Sequence, residues 1–336
     1  MKSAAEPCRP PIRYLLITAC RDEEQFARKC LESVVHQSLP PTAWIIVDDG
    51  SVDSTPSILT EYAARHDAIK VIRRPNRGRR SVGPGVVEAF YVGYAAAQGI
   101  EYEYLCKLDL DIELPSRYFE TLLGRMEAEP RLGTCSGKPY FVDPSSGEQI
   151  SERCGDEMSV GMTKLYRRRC FEEIGGFVPE VMWDGIDCHR CRMHGWIACS
   201  WDEPDLRFLH LRPMGSSQHG ICVGRARHGY GQYFMGTHPL YMLSSGLYRM
   251  RHPPVVVGGL AMLWGYLKSW IRGLPRYNDP LFRRFLRRYQ WSCLLRGKST
   301  ATRLLDARQR SVWLEGENAS TSRWPECARG EGSLRH

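Results

Sequence analysis

Along roughly the first 130 residues, short apolar runs alternate with longer stretches whose apolar residues recur every three or four positions. The short runs are almost wholly apolar, as in strands buried on both faces, and the longer stretches have the period of an amphipathic helix. The pattern predicts strands at 13–18, 44–48, 69–72 and 103–111, and helices at 23–37, 54–66, 86–98 and 116–129. Strands alternating with helices predict a doubly wound, mostly parallel α/β sheet.

After residue 133 the pattern changes to shorter strand-like pieces separated by turns. These pieces lie at 133–142, 158–164, 198–201 and 206–211, with a short helix near 187–194. They predict a smaller, mixed half-sheet built onto the first half. The predicted organisation is a tail at 1–11, a large α/β domain at 12–245, a basic and apolar helical segment at 246–310, and a flexible, polar, Gly-rich tail at 311–336.

The composition is that of a globular chain, with 336 residues, 43% of them hydrophobic and 25% charged. The 13 cysteines show no paired spacing and many lie in apolar runs, which predicts buried free thiols in a reducing compartment. One Cys-x-x-Cys, at Cys188 and Cys191, lacks the second pair that a zinc finger needs. Residues 1–11 have no apolar core for a signal peptide, and the uncharged stretch at 253–267 is shorter than the ~20 residues of a spanning helix.

The sequence Asp109-Leu110-Asp111 ends the fourth predicted strand. Because residues i and i+2 of a strand share a face, both carboxylates can point past its end. Ligands of open α/β sheets bind outside the carboxyl ends of the strands. Two carboxylates at this edge suit a Mg²⁺ or Mn²⁺ that holds a diphosphate.

Polar clusters also follow the first two strands, as Thr18-Ala19-Cys20-Arg21-Asp22-Glu23 and as Asp48-Asp49-Gly50-Ser51. Each cluster alone fits a turn or a helix cap equally well. The three clusters together lie on one edge of the predicted sheet, where a carboxylate can accept a hydrogen bond from a nucleobase or a ribose. The basic loop at 73–80 follows the third strand and suits a diphosphate, although a solvated loop has the same composition.

These motifs, in this order, resemble the family 2 glycosyltransferases of GT-A fold. The resemblance covers roughly residues 12–215. It includes the segment at 171–177, which is similar to the family's segment before the acceptor site, and the later Arg190 and Gly195. Counting back from those two residues, Asp184 takes the position of the catalytic base. Trp183 stands where the family usually has Glu, and the second acid is displaced to Asp187, so both acids are candidates for the base.

The resemblance implies a metal-dependent, inverting transfer of a sugar from a nucleotide-diphosphate sugar, with UDP as the family's commonest nucleotide, to a hydroxyl of a glycan or lipid-linked acceptor. Bacterial exopolysaccharide assembly is the implied setting, and Mg²⁺ or Mn²⁺ the implied cofactor. It assigns the metal to Asp111, Asp109 and His210, and the diphosphate or acceptor side to Arg212, Gly176 and Trp183. The implied nucleotide-binding residues are Thr18, Ala19, Arg21, Glu23, Asp48, Asp49, Ser51, Arg79 and Asp109.

The net charge of +8 is concentrated near the C-terminus. Fourteen Lys/Arg and two Asp/Glu lie between Arg249 and Arg310, which gives this segment +12 and leaves −4 for the rest. The arginines at 281–295 lie opposite an apolar arc of about 140° on a helical wheel. The apolar run at 255–267, closed by Lys268, Trp270 and Arg272, favours an anionic membrane surface. We therefore expect a peripheral enzyme on the inner, cytoplasmic face of the cell membrane, although the helix at 281–295 could equally pack on the domain.

Other interpretations have weaker support. Nucleic acid would attract the same charge, but no helix-turn-helix, zinc-finger or RNP motif accompanies it. A nucleotidyltransferase would need a Gly-rich loop with a Lys near the N-terminus, and residues 18–24 contain neither. Gly83-Pro84-Gly85 lacks the third glycine of a dinucleotide fingerprint, and no P-loop is present. A catalytically silent, nucleotide-binding or membrane scaffold is favoured only by Trp183.

Overall fold

The computed structural model describes residues 12–78, 81, 83–212, 220–252 and 254–321, with side chains described as far as residue 316. A seven-stranded sheet forms the centre of the fold, in the order β10-β6-β9-β4-β1-β2-β3. Its strands are β1 (Tyr14–Cys20), β2 (Ala43–Asp48), β3 (Ile69–Arg73), β4 (Tyr104–Leu108), β6 (Leu132–Ser136), β9 (Thr163–Arg167) and β10 (Ile197–Ser200). All neighbouring strands are parallel except β9, which is antiparallel to β4 and β6. The predicted mostly parallel sheet is confirmed.

Helices cover both faces of this sheet. Alternate residues of β1 separate its two cores: Tyr14 and Leu16 belong to one apolar cluster, and Leu15 and Ile17 to the other. This two-sided burial explains why the strand has no polar face. The helices of this part are α1 (Ala27–Val35), α2 (Thr55–Arg65), α3 (Pro84–Ala96), α4 (Tyr118–Ala128), α5 (Arg168–Glu173) and α6 (Trp183–Met193).

A second, four-stranded sheet lies at the carboxyl edge of the first, as the predicted half-sheet requires. Its order is β5-β11-β7-β8, from β5 (Ile112–Glu113), β7 (Lys138–Val142), β8 (Gln149–Ser151) and β11 (Arg207–His210). The predicted strand at 103–111 is too long, because β4 ends at Leu108 and the chain turns through Asp109 and Asp111 into β5. The strand predicted at 158–164 lies instead at β9.

The C-terminal part is helical and is packed onto α6. It contains α7 (Ile221–Met235), α8 (Pro239–Arg249), α9 (Val257–Ile271), α10 (Pro280–Arg296), α11 (Lys298–Arg308) and α12 (Arg310–Thr321). The sequence predicts a loose tail from residue 311, but α12 lies at these positions. It is packed on the domain, because the Trp313 ring lies 6.3 Å from the ring of Trp196. The later tail residues and the predicted tail at 1–11 lie outside the described residues.

Glycines bring α7 and α9 unusually close together. A Cβ on Gly229 would lie 2.0 Å from the Met262 carbonyl oxygen, and a Cβ on Gly265 would lie 2.0 Å from the Ala226 carbonyl oxygen. Only glycine allows two helix backbones to approach in this way. Close approach through small residues is common between helices in membranes. No helix within the described part of the chain is long and apolar enough to cross a bilayer.

The apolar arc of α10 faces the protein. Phe282 and Leu286 are fully buried with Ile186 and Met235 in one cluster, and Tyr289 is buried in another. The expected amphipathic helix therefore exists, but its apolar face packs on the domain. Its arginines face outward.

His189 of α6 lies against α10 and is buried. Its ring centroid is 5.4 Å from that of Tyr289 and 6.3 Å from that of Phe282. Burial, with smaller contributions from Arg192, Lys298 and Lys164, lowers the His189 pKa to about 3. The imidazole is therefore neutral in the folded protein at every physiological pH.

We expect this histidine to make the protein acid-sensitive. The pKa of His189 in the folded protein lies below its value near 6.5 in the unfolded chain, so protonation favours unfolding. The free energy of unfolding is therefore highest above pH 6.5 and decreases as the pH falls toward about 3. At pH 5 the loss amounts to about 2 kcal/mol. Urea unfolding of wild type and His189→Gln between pH 7 and 4.5 measures it, with His36→Gln on the surface as the control. Parallel pH profiles for wild type and His189→Gln would contradict the assignment.

Candidate active site

A cavity of 510 Å³ lies at the carboxyl edge of the central sheet. Its walls come from the ends of β1, β2 and β4, from the segment at 154–162, and from the N-terminal turn of α6. The middle of α7 closes it with Arg227 and His228. Of the predicted site residues, the cavity is lined by Ala19, Arg21, Glu23, Asp49, Asp109, Asp111, Trp183, Asp184, His210 and Arg212.

Pairing between distant strands brings Asp111 and His210 together. β5 runs antiparallel to β11, with Ile112 opposite His210, and the Leu211 amide donates to the Asp111 carbonyl at 2.9 Å. His210 Nε2 lies 3.7 Å from Asp111 Oδ2, and His210 Nδ1 donates to Glu152 Oε2 at 2.9 Å. All three side chains are about nine-tenths buried.

Arg212 completes this cluster. Its guanidinium donates to the Asp111 carboxylate and, at 2.9 Å, to Glu23 Oε1 at the end of β1. The contact between Arg212 and Glu23 joins positions 189 residues apart. One arginine thereby holds together the carboxylates that follow the first and fourth strands.

The charges of this cluster shift each other's titration. Burial by itself would raise the pKa of Asp111, but His210 and Arg212 outweigh it and hold that pKa well below its usual range. Burial would lower the His210 pKa, but hydrogen bonds to Asp111 and Glu152 raise it to about 9. The pair is therefore an ion pair at neutral pH, and the imidazole must release its proton before it can ligate a metal.

The donor set partly fits a divalent cation. Asp111 Oδ2 and His210 Nε2 face each other, and Glu152 orients the imidazole through its other nitrogen, which is the usual support of a metal-bound histidine. Within the described residues, no group of three or more His, Cys, Asp or Glu side chains is arranged to hold a metal ion. Two protein donors suffice for Mg²⁺ or Mn²⁺ when phosphate oxygens and water complete the shell.

The sequence predicts Asp109 as a metal ligand, but its carboxylate is paired with a lysine instead. Its carboxylate accepts from Lys107 Nζ, which also donates to the Gly161 carbonyl at 2.9 Å. Lys107 is a missed functional residue whose signal was a lysine inside an otherwise apolar strand. The same ammonium thus connects Asp109 to the segment at 154–162.

Asp184 is the acid of α6 that faces the cavity. Met182 precedes it with φ of 70°, a left-handed conformation that is costly for a residue with a side chain. The Asp184 carbonyl accepts from Lys164 Nζ at 2.6 Å. Its carboxylate lies beside Gly161, where a Cβ would be 3.0 Å from Oδ2.

Asp187 does not face the cavity, which argues against the alternative base. It is 1% exposed, and its two oxygens accept from Lys164 Nζ and the Tyr166 hydroxyl. Trp183, by contrast, lines the cavity with its ring under two ammonium groups, 5.3 Å from Lys107 Nζ and 5.6 Å from Lys164 Nζ.

The nucleotide side is a network of arginines and carboxylates. Arg21 donates to the Asp49 carbonyl at 3.2 Å and to Asn76 Oδ1 at 2.7 Å. The Asp49 carboxylate accepts from Arg77 and Arg74 at 2.7 and 2.8 Å. The turn after Asp49 needs glycine, because a Cβ on Gly50 (φ 78°) would lie 2.5 Å from Asn76 Cα.

Besides Asp187, four predicted site residues are not among those lining the cavity. Thr18 Oγ1 accepts from the Trp44 indole at 2.9 Å, and Asp48 Oδ1 accepts from the Ser51 amide at 2.8 Å. Ser51 Oγ in turn accepts from the Asp22 amide, and Gly176 forms a turn with φ of 69°. These residues shape the edge of the sheet, because short polar side chains satisfy turn amides. Arg79 lies outside the described residues.

Several residues that line the cavity or support its lining residues were not predicted. Glu152 had no local signal, since it follows a short, exposed strand. Arg227 and His228 belong to α7, which the topology returns to the cavity after the half-sheet. Met158 and Ser159 line the wall beside α6.

The chain is similar in sequence to known proteins. Residues 15–182 match the family described as Glycosyl transferase family 2. EpsH of Bacillus subtilis (strain 168), whose name assigns it to the glycosyltransferases, is 33% identical over 178 residues, which are 52% of this chain and 48% of EpsH. The poly-β-1,6-N-acetyl-D-glucosamine synthase of Staphylococcus epidermidis is 29% identical over 136 residues, 40% of this chain and 30% of that protein. The chain thus matches about half or less of these relatives' length.

A solved structure agrees at the level of the fold. GalNAc-T7, determined with UDP, GalNAc and Mn²⁺, superposes with a TM-score of 0.53 and 13% identity. The match covers 86% of this chain and 58% of that one. The predicted GT-A fold is confirmed.

The buried pair of Lys164 and Asp187 leads to a stability prediction. Asp187→Asn leaves a buried ammonium without its counter-charge, and we expect unfolding to become easier by about 3–5 kcal/mol. The double variant Lys164→Met/Asp187→Leu removes both charges and should recover most of that loss. Urea unfolding at pH 7 measures all three proteins. A single variant within 0.5 kcal/mol of wild type would show that the pair does not stabilise the fold.

Proposed function

The chain belongs to glycosyl transferase family 2, and we propose that it is an inverting, metal-dependent glycosyltransferase that uses a nucleotide-diphosphate sugar. The observation that carries the proposal is the pairing of two groups in one cavity. Asp184 lies on one wall, and the cluster of Asp111, His210 and Arg212 lies on another. A base and a diphosphate-binding site that share a cavity are what a direct displacement at a sugar carbon requires.

Asp184 acts as the general base in this proposal. It accepts the proton of the acceptor hydroxyl while that oxygen attacks the anomeric carbon, so no covalent enzyme intermediate is needed. Lys164 fixes the backbone of Asp184 through its carbonyl, and the buried Asp187 holds Lys164 in place. Trp183 forms a flat apolar wall next to the base, suited to a sugar ring.

The leaving diphosphate binds at the opposite wall. Asp111 and His210 would hold a Mg²⁺ or Mn²⁺, which when bound neutralises the negative charge that develops on the diphosphate. Arg212 donates to Asp111 and Glu23, and its guanidinium is placed to contact phosphate oxygens. Arg21, Asp49 and Asp109 bind the nucleoside, with UDP as the proposed nucleotide.

The acceptor is proposed to be a glycan or lipid-linked glycan at the inner face of the cell membrane. The named products of the relatives support exopolysaccharide assembly. The outer faces of α8 and α9 support the location, because they are apolar and exposed. Trp264 is 58% and Ile271 73% exposed, and the same surface contains Leu240, Leu243, Leu247, Val257, Leu260 and Leu267.

Nucleotide binding is the first test. A ligand at 100 times its dissociation constant stabilises a protein by about 2.7 kcal/mol. We expect one of UDP, GDP, dTDP, CDP and ADP, with Mn²⁺, to raise the melting temperature, and the metal-dependent part to vanish in Asp111→Ala. Glu113→Ala, two residues away, is the control. No shift with any nucleotide, in folded protein, would favour a catalytically silent scaffold.

The base is tested by turnover. We expect Asp184→Asn to lower donor-sugar hydrolysis by about 10²–10⁴-fold, because the proton acceptor is lost, while nucleotide binding stays unchanged. Asp205→Asn on the surface serves as the matched control. Full activity in Asp184→Asn would transfer the role to another group. Released UDP in the presence of the identified donor is the quantity to measure.

A further inference from the structure

Four arginines of α10 form a cleft of 440 Å³ with Pro280 and Trp291, which we call the arginine cleft. The guanidinium groups belong to Arg283, Arg284, Arg287 and Arg288. In the described part of the chain, none of them forms a salt bridge with a carboxylate within 4.0 Å. The one fixed contact is the Arg287 Nε donation to the Gly236 carbonyl at 3.4 Å.

This arrangement is unfavourable without an anion. The four charges lie within two turns of one helix and repel one another. Their apolar neighbours on α10, including Phe282 and Leu286, are fully buried, so the helix is held with its arginines toward solvent. The Arg283 stem also lies over Gly236, where a Cβ would be 2.8 Å from Cγ. Neighbouring guanidinium forks bind phosphate through paired hydrogen bonds, which makes a phosphate group the best-matched ligand.

The cleft is continuous with the apolar surface of α8. Trp291 is 43% exposed, and its ring lies 4.9 Å from the ring of His238, which caps the start of α8. Leu240, two residues later, is 50% exposed, and Leu243 and Leu247 continue the same face. A soluble phosphate would not contact the apolar surface beside the cleft. A phospholipid has both a phosphate for the arginines and acyl chains for the leucines.

We infer that the arginine cleft binds the phosphate of an anionic lipid headgroup, while the exposed leucines of α8 enter the acyl region beside it. This inference rests on the proposed membrane-surface function and deepens it, because it replaces diffuse attraction with a defined site. Only one side of the helical layer then faces the bilayer. His228 at the cavity and Gly236 at the cleft are eight residues apart on α7 and its cap, roughly 12 Å. Headgroup binding therefore sets the height of the cavity above the lipid.

The test uses the full-length protein and sedimentation with phosphatidylcholine vesicles, with and without phosphatidylglycerol. Arg284→Lys/Arg288→Lys keeps the net charge but removes two guanidinium forks. We expect its affinity for the anionic vesicles to fall about tenfold, which corresponds to the loss of one charge-assisted contact. Arg303→Lys/Arg308→Lys on the exposed face of α11 is the matched control and should bind as wild type does.

Equal affinities of wild type, cleft variant and control would overturn the inference in favour of diffuse electrostatics. A second arm tests the source of the phosphate, with glycerol phosphate added to vesicle-free protein. A thermal shift that disappears in the cleft variant, together with vesicle binding that is equal in wild type and cleft variant, would assign the cleft to a soluble anion and overturn the lipid assignment. Binding of single-stranded oligonucleotides that is lost in the same variant would overturn it in favour of nucleic acid.

The outcome is separable from that of the proposed function. Donor hydrolysis is measured in solution without vesicles, and we expect the cleft variant to keep wild-type turnover there. Loss of vesicle binding with intact turnover supports the inference. Absence of wild-type binding to any vesicle would overturn both the membrane location and the cleft assignment, and it would leave the transferase proposal standing.

Discussion

A buried lysine connects the central sheet to the helix that carries the proposed base. Lys164 extends from β9, binds the Asp187 carboxylate inside α6, and donates to the Asp184 carbonyl at 2.6 Å. Because the ammonium and the carboxylate are both almost fully buried, the loss of either would leave the other as an unpaired charge in the interior, at a large cost in stability. Of the two acids of the motif, Asp187 is therefore held in the interior, and Asp184 lines the cavity.

The cavity wall formed by Asp111, His210 and Arg212 is held by charges of opposite sign that alternate in space. Glu23, Asp111 and Glu152 are acids, and Arg212 and the protonated His210 are the cations between them. Each carboxylate comes from a different strand end, so the cations join the two sheets at the edge where they meet. In the proposed function, the same cluster would offer Asp111 and His210 to a metal and Arg212 to a phosphate. Stability of the edge and readiness for the ligand therefore have one electrostatic cause.

The C-terminal helices both pack on the domain and expose apolar side chains, which the sequence presented as alternatives. The apolar arc of α10 packs on α6 through Phe282 and Leu286, as an ordinary domain helix does. The glycine contacts between α7 and α9 leave the large side chains of α9 on its outer face, among them Trp264 and Leu267. Packing on the protein and exposure of an apolar surface thus occur on different faces of the same layer.

Local patterns in the sequence determined the elements before residue 130, the mostly parallel sheet, and the strand-end motifs around Asp49 and Asp111. They did so because burial on two faces leaves an apolar run, and turns need Asp, Gly and Ser. Tertiary structure alone decided three things: that Asp184 rather than Asp187 faces the cavity, that Glu152 supports His210, and that Lys107 takes Asp109 away from the metal donors. The first two depend on contacts between elements distant in sequence, and local periodicity carries no information about which distant partners meet. In the third, Lys107 and Asp109 are two residues apart, and the distant partner is the Gly161 carbonyl, which holds the same ammonium.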